Sequence, residues 1–197
     1  LKSVPKVSVI IPCYNAEETI LETLSTVSNQ DFHDYEVLVI DDGSTDNTAS
    51  LLKEWAKSHS NFRVIEIPHA GVIVAFNKGL KLAKGTYIAR MDADDTMTPN
   101  RLSLQVDYLD THPKVGLVAS LVKGFPKESV REGFQIYIDW QNTLVTHQQI
   151  IREIYIESPF CNPSVMIRKD ILDSFGGYQG FGWVEDYDLW LRMHLAG

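Results

Sequence analysis

The sequence predicts an α/β domain in which a mainly parallel sheet is covered by helices on both faces. Three observations carry this. Within residues 1–111, short β-branched apolar runs alternate with stretches of helical periodicity, four times over. The runs have no clean in–out alternation, as expected of strands buried on both faces. Polar clusters, PCYN, DDGSTD, PHAG and DADD, follow the four runs one by one.

The elements follow in order. VSVII, residues 7–11, is the first strand, and Ile20, Leu21, Leu24 and Val27 then repeat with helical spacing. Asn15 with Glu18 three residues on predicts a capping box for that helix. YEVLVI (35–40) is the second strand, and the helix after it sets Leu51, Leu52, Trp55 and Ala56 on one side. FRVIEI (62–67) is the third, followed by a helix through Val72, Ala75, Phe76, Gly79, Leu80 and Ala83. TYIARM (86–91) is the fourth. Thr98 and Pro99 then form an N-cap and N1 pair for a helix bearing Leu102, Val106 and Leu109. Right-handed crossovers make this βα alternation a doubly wound, Rossmann-like layer.

The second half is less regular. VGLVA (115–119) and SVMIR (164–168) read as strands, Gly124 to Gly133 as a loop, and Leu144 to Ile156 as a helix. A short helix, KDILDSF, stops at Gly176-Gly177, and a last helix starts near Val184. With no repeat, low-complexity tract or linker, residues 1–197 read as one domain. Its expected halves are 1–111 and 112–197.

Composition narrows the partners. Of the 197 residues 44% are hydrophobic, enough for a real core. Lys and Arg number 18 and Asp and Glu 26, a net charge of −8, and no basic stripe is present, so nucleic acid is not an expected partner. The two cysteines, Cys13 and Cys161, form neither a CxxC nor a disulfide framework, which fits a reducing compartment. Leu1 to Lys6 lacks the pattern of a secretory leader, and every apolar run falls short of the roughly 20 residues that span a bilayer. The expected location is cytoplasmic. The sequence stops inside a helical pattern, LWLRMHLAG, so a longer native protein is expected, with a membrane-associated or acceptor-binding part beyond it.

In an open parallel sheet, ligands bind beyond the carboxyl ends of the strands. Here the polar clusters converge on those ends. DADD sets Asp92, Asp94 and Asp95 within four positions. Two carboxylates about 5 Å apart repel by roughly 3 kcal/mol at an effective dielectric near 20. A divalent Mg²⁺ or Mn²⁺ answers that repulsion and keeps open positions for phosphate oxygens; a solvated acidic turn is the plainer alternative. In DDGSTD, Asp41 is read as facing the crevice, able to accept from a base imide or ribose hydroxyl, while Ser44 or Thr45 could simply cap the next helix. Tyr14 is either a buried ring or a surface for stacking a base. Glu185, Asp186 and Asp188 favour a helix start by the macrodipole. Alternatively, one of these carboxylates, held beside Trp183 and Tyr187 in a partly apolar pocket, would serve as a general base.

Five segments, VSVIIPCYN, VLVIDDGSTDNT, AGVIVAFNKGLKLAKGTYIARMDADD, PSVMIRKDILDSFGGY and VEDYDLWLR, resemble the family 2 glycosyltransferases in order and over nearly the whole chain. The resemblance implies the GT-A fold, a three-layer sandwich. It also implies transfer of a sugar, with inversion, from a nucleotide diphosphate donor, most commonly a UDP-sugar. The acceptor would be a saccharide or lipid-linked molecule, as in cell-surface polysaccharide synthesis. Pro12, Tyr14, Asp41 and Asn77 would bind nucleotide. Asp92 would lie near ribose and metal, Asp94 would ligate Mn²⁺ or Mg²⁺, and Asp95 would contact the donor sugar. Asp186 matches the catalytic base, with Glu185 as the second candidate. Gly79 is read as close helix packing. The family's common Arg before the metal motif is missing: HAGVIVAFN has His69 and Phe76 and no Arg between them. Work at the cytoplasmic face of a membrane, through a C-terminal part, is the further expectation.

Trp140, Tyr137 and Phe160, in the region expected to select the acceptor (Ser120 to Pro163), are either core residues or sugar-stacking platforms. Two other classes compete. A sugar nucleotidyltransferase would carry a Gly-rich basic loop after the first strand, whereas PCYNAEE has neither glycine nor basic residue. A non-catalytic sugar-nucleotide-binding domain would not need the ED and DADD carboxylates, all of which are present.

Overall fold

The computed structural model describes residues 4–180 and 184–197. Six strands form one sheet: β1 (Val7–Cys13), β2 (Tyr35–Asp41), β3 (Phe62–Glu66), β4 (Tyr87–Arg90), β5 (Leu117–Ala119) and β6 (Val165–Arg168), in the order β3-β2-β1-β4-β6-β5. The first four pair in parallel, while β6 runs antiparallel to both β4 and β5.

Alternate residues of each central strand enter opposite cores, which is why the apolar runs show no polar face. Val7, Val9 and Ile11 of β1 and Val37 and Val39 of β2 pack with helices α1 (Ile20–Ser28), α2 (Thr48–Ser58) and α4 (Arg101–Thr111). Ile10, Leu38, Ile40 and Ile88 pack on the other face with α3 (Val72–Leu82), α7 (Lys169–Ser174) and α8 (Glu185–Leu195). The result is the expected three-layer α/β sandwich.

Gly79 of α3 is what lets that helix lie close to the sheet. A Cβ there would stand 2.5 Å from Ile10 Cγ2 and 3.3 Å from Ile40 Cγ1, both on fully buried side chains. Overpacking of this kind costs about 1–3 kcal/mol. Gly79→Ala should lower the urea midpoint correspondingly with the m-value unchanged.

Several local expectations are corrected. Asn15 and Glu18 form no capping box, because α1 begins only at Ile20 and Asn15, at φ 49°, turns its side chain to the backbone N–H of Thr45. Neither Ser44 nor Thr45 caps α2. Ser44 Oγ accepts from Asn15 N–H, and the Thr48 N–H goes to Asp46. Thr98 and Pro99 form a preceding turn, and α4 starts after Asn100. The expected helix over 144–156 is shorter: α6 (His147–Glu153) begins at a capping box between Thr146 and Gln149. The expected loop 124–133 gives way at Glu132 to α5 (Glu132–Gln141), whose Phe134, Tyr137, Ile138 and Gln141 form a helical i, i+3, i+4, i+7 stripe lining a cleft.

Strand order reverses at β1, with β2 and β3 on one side and β4 on the other. The crevice between the carboxyl ends of β1 and β4 is therefore the topological switch point.

Candidate active site

A cleft of about 610 Å³ opens at that switch point. Pro12 and Tyr14 line it from the end of β1, Asp42 from the end of β2, His69 from the end of β3, and Asp92 and Asp94 from the end of β4. Tyr14 is 45% exposed, and its ring stacks on His69 with centroids 4.1 Å apart. His69 Nδ1 lies 2.9 Å from Asp42 Oδ2, and Asp42 also accepts from the N–H groups of Ala70 and Gly71 at 2.9 and 2.8 Å. One buried carboxylate thus fixes the loop that follows β3. Cross-bonds from Asn15 to Ser44 and Thr45, and from Asp46 to Glu17 N–H, brace the β1 and β2 loops in the same way.

Asp41 and Asn77, expected at the nucleotide, are not among the residues lining either cleft. Asp41 is 2% exposed, and its Oδ1 accepts from Ser44 N–H at 3.1 Å, closing a local turn away from the cleft. Asp42, just past the end of β2, lines the cleft, whereas Asp41, the last residue of that strand, does not. Asn77 faces Tyr178, donating to its carbonyl at 2.8 Å and accepting from its N–H at 3.1 Å.

The carboxylates of Asp92, Asp94 and Asp95 place one oxygen each within 4.8 Å of one another, a hard-oxygen donor set suited to a divalent cation. Part of the repulsion anticipated from the sequence is answered from beneath by the protein itself. Arg90, 3% exposed at the end of β4, holds Asp92 Oδ1 at 2.5 Å, donates to the Met91 carbonyl, and lies 5.9 Å over the Phe76 ring. Burial disfavours the Arg90 charge, but Asp92, with Tyr178 and Glu185 added, outweighs it and raises its pKa. Arg101, equally enclosed in α4, bonds the Arg90 and Val165 carbonyls; burial lowers its pKa to about 10, with Asp95 opposing. Arg90 is thus a buried counter-charge to Asp92 and lines neither cleft, so it does not replace the cationic contact missing from the segment before the metal motif. Excess negative charge remains: burial, then Asp92 and Asp94, push Asp95 up to about 6. Asp94 is exposed, and among the described residues no ion pair reaches it.

A second cleft, of about 1430 Å³, adjoins the first, and Asp94 lines both. Asp95 and Asp186 face into it, as do Phe134, Tyr137 and Phe160. Trp140 stays behind, stacked on Tyr137 at 5.8 Å. Asp186 sits in the first turn of α8, only 7% exposed, and its Oδ1 accepts from Tyr187 N–H at 2.7 Å. Burial raises its pKa to about 6; the Tyr187 N–H opposes, Glu185 reinforces, and Arg90 opposes again. Glu185 is not among the residues lining either cleft. Tyr187 directs its hydroxyl to the Ile154 carbonyl at 2.6 Å, and Trp183 lies outside the described residues. Cys161, which lines the same cleft, is pushed by burial, then by Asp95 and Asp92, to about 12 and stays a thiol.

A mostly parallel sheet with an antiparallel β6 and an acidic triplet at its switch point is the arrangement of the GT-A transferases. The crystal structure of S. aureus TarS 1–349 superposes with a TM-score of 0.76 at 25% identity, over 96% of this chain and 55% of that one. Mannosyltransferase PcManGT from Pyrobaculum calidifontis, solved with GDP-Man and Mn²⁺, gives 0.76 at 26% identity over 100% of this chain and 54% of that one. EpsE of Bacillus subtilis (strain 168) is 32% identical over 202 residues, covering 100% of this chain and 69% of that protein. The amylovoran biosynthesis glycosyltransferase AmsE of Erwinia amylovora is 28% identical over 193 residues, covering 96% and 70%. The pattern of glycosyl transferase family 2 matches residues 8–176, and the chain belongs to that family. It spans 62% of a Haemophilus influenzae glycosyltransferase and about half of the solved chains.

Arg90, Arg101 and Asp42 were not singled out from the sequence. A charged residue ending an otherwise buried strand, immediately before three acids, was the available signal for Arg90.

Among the described residues, no helix is long and apolar enough to cross a membrane.

Proposed function

We propose that this chain transfers a sugar from a nucleotide diphosphate donor, UDP first among the candidates, to a saccharide or lipid-linked acceptor with inversion at the anomeric carbon. The observation that carries the reading is Asp94 on the wall shared by two clefts, with Asp186 buried in the larger. Residues 1–111 supply the nucleotide side and 112–197 most of the acceptor side. Cell-surface polysaccharide synthesis at the cytoplasmic face of a membrane is the setting we favour. AmsE, named for amylovoran biosynthesis, and the TarS complex with UDP-GlcNAc support it.

The chemistry follows from the residues. Acceptor hydroxyls are weak nucleophiles, so Asp186 takes the proton as the oxygen attacks. The new C–O bond forms on the face opposite the donor diphosphate, the bond to that diphosphate breaks, and its electron pair leaves with the phosphate oxygen. Asp94, with Asp92 and Asp95 beside it, would hold Mn²⁺ or Mg²⁺. A bound divalent ion offsets charge growing on the leaving diphosphate. Tyr14 offers an exposed ring for a base, and Asp42 and the 69–71 loop shape that end of the cleft.

Calorimetric titration of UDP and GDP, each with and without Mn²⁺, followed by a screen of the matching nucleotide-sugars for transfer or hydrolysis, tests the proposal. We expect Mn²⁺-dependent binding of one nucleotide and turnover of its sugar. Failure of both nucleotides to bind would defeat it.

A further inference from the structure

Asn77 stands in α3 away from both clefts, yet both polar atoms of its side chain are engaged by one residue, Tyr178. Tyr178 is itself immobilised. It is 2% exposed, its ring lies 4.4 Å from that of Phe76, and its hydroxyl bonds Asn162 Oδ1 at 2.5 Å. The preceding Gly176 and Gly177 have φ of 71° and 70°, which L side chains rarely adopt, and a Cβ on Gly177 would collide with Asn77 Oδ1.

The same short segment is gripped from the other side by α8. Arg192 donates through Nη2 to the Gly177 carbonyl at 3.0 Å and through Nη1 to the Phe175 carbonyl at 2.8 Å, while its Nε bonds Asp188 at 2.8 Å. Asp188 keeps the guanidinium pointed, and the planar fork reaches two carbonyls at once. A continuous set of bonds therefore runs from α3 through Tyr178 and Gly177 to Arg192. Asp186 lies six residues back along the same helix, about 9 Å at 1.5 Å per residue, so a tilt at Arg192 is carried to the carboxylate.

We infer that Asn77 and Arg192 are positioning residues: together they clamp α8 to α3 through Gly177-Tyr178 and so hold Asp186 in the acceptor cleft. This rests on the reading of Asp186 as the base. It differs from a nucleotide contact by Asn77 in which parameter each role moves. A contact would set nucleotide affinity, whereas a clamp sets turnover. Misplacing a reacting group by about 1 Å can cost about a hundredfold.

The test uses Asn77→Ala, Arg192→Gln and Arg192→Lys. We expect kcat to fall about tenfold to a hundredfold in the first two, with UDP–Mn²⁺ or GDP–Mn²⁺ affinity within about twofold of wild type. Arg192→Lys should recover part of the loss, and the Asn77→Ala/Arg192→Gln double variant should be no slower than the worse single one. Hydrogen exchange at the amides of Tyr187 and Asp188 should quicken in both singles. Weaker nucleotide binding with unchanged kcat in Asn77→Ala would overturn the inference. So would unchanged exchange and kcat in folded Arg192→Gln, which also decides the matter if Asn77→Ala does not fold. Full turnover in Asp186→Asn would instead defeat the base assignment, and the exchange measurement would still judge the clamp.

Discussion

Asp186→Asn should lower transfer by about 10²- to 10⁴-fold, the usual contribution of a positioned general base, while nucleotide–Mn²⁺ binding stays as in wild type. The amide has nearly the shape of the carboxylate and can still accept from Tyr187 N–H, so α8 should keep its place. Its oxygen cannot take the acceptor's proton. The pH dependence gives a second handle. Burial holds the Asp186 carboxyl protonated up to about pH 6. The base form is therefore lost as pH falls through 6, and the wild-type rate should drop about tenfold for each unit below it. An ordinary aspartate would place that limb near pH 4. The residual rate of Asp186→Asn should lose the part of the limb at 6 that is due to residue 186, and any limb left near 6 belongs to Asp95. A pH–rate profile of the two proteins reads both effects, and equal rates at pH 8 would remove Asp186 from the mechanism.

Asp94→Ala should abolish Mn²⁺-dependent nucleotide binding and reduce transfer by at least about a hundredfold, since a divalent ion at a phosphoryl oxygen is worth several kcal/mol. The stability effect should have the opposite sign. Asp94 is exposed and stands among like charges, so its removal relieves repulsion, and the melting temperature without metal should hold or rise. The increase in melting temperature that Mn²⁺ with nucleotide gives the wild type should disappear. This combination separates a ligand from a structural carboxylate. Asp92→Asn should behave differently, because it strips the ion partner from buried Arg90 and destabilises the metal-free protein. Thermal scans of the two variants with and without Mn²⁺ compare them directly.

The βα alternation was readable because both its signals are local. Ile20, Leu24 and Val27 repeat with helical spacing, and strands such as VSVII need only their own residues to be recognised. α5 was not readable in that way. Phe134, Ile136 and Ile138 alternate like a strand, and the helical stripe that includes Tyr137 and Gln141 faces a cleft rather than a core. For the site, the segments pointed to the strand ends that line the cleft, but side-chain direction decided which members of each cluster reach it. Asp41 ends β2 and folds back on Ser44, while Asp42, one position on, reaches the cleft. Asn77 belongs to a motif beside the metal site in sequence, yet its partner is 101 residues away, and no local pattern announces a contact of that span.

The place of β6 in the sheet also sets an order of assembly. β1 to β4 can zip together as soon as they are made, each beside an earlier strand. β5 is made before β6, yet among the described residues β6 is its only neighbour in the sheet and stands between it and β4. Until Val165–Arg168 arrives, β5 has nothing to pair with and the outer side of β4 is an open edge, the kind of surface that recruits other chains. An intermediate lacking β6 presents that edge of β4 to other chains. The strand that ends in Arg90 and leads into the acidic triplet is protected last, by residues far along the chain.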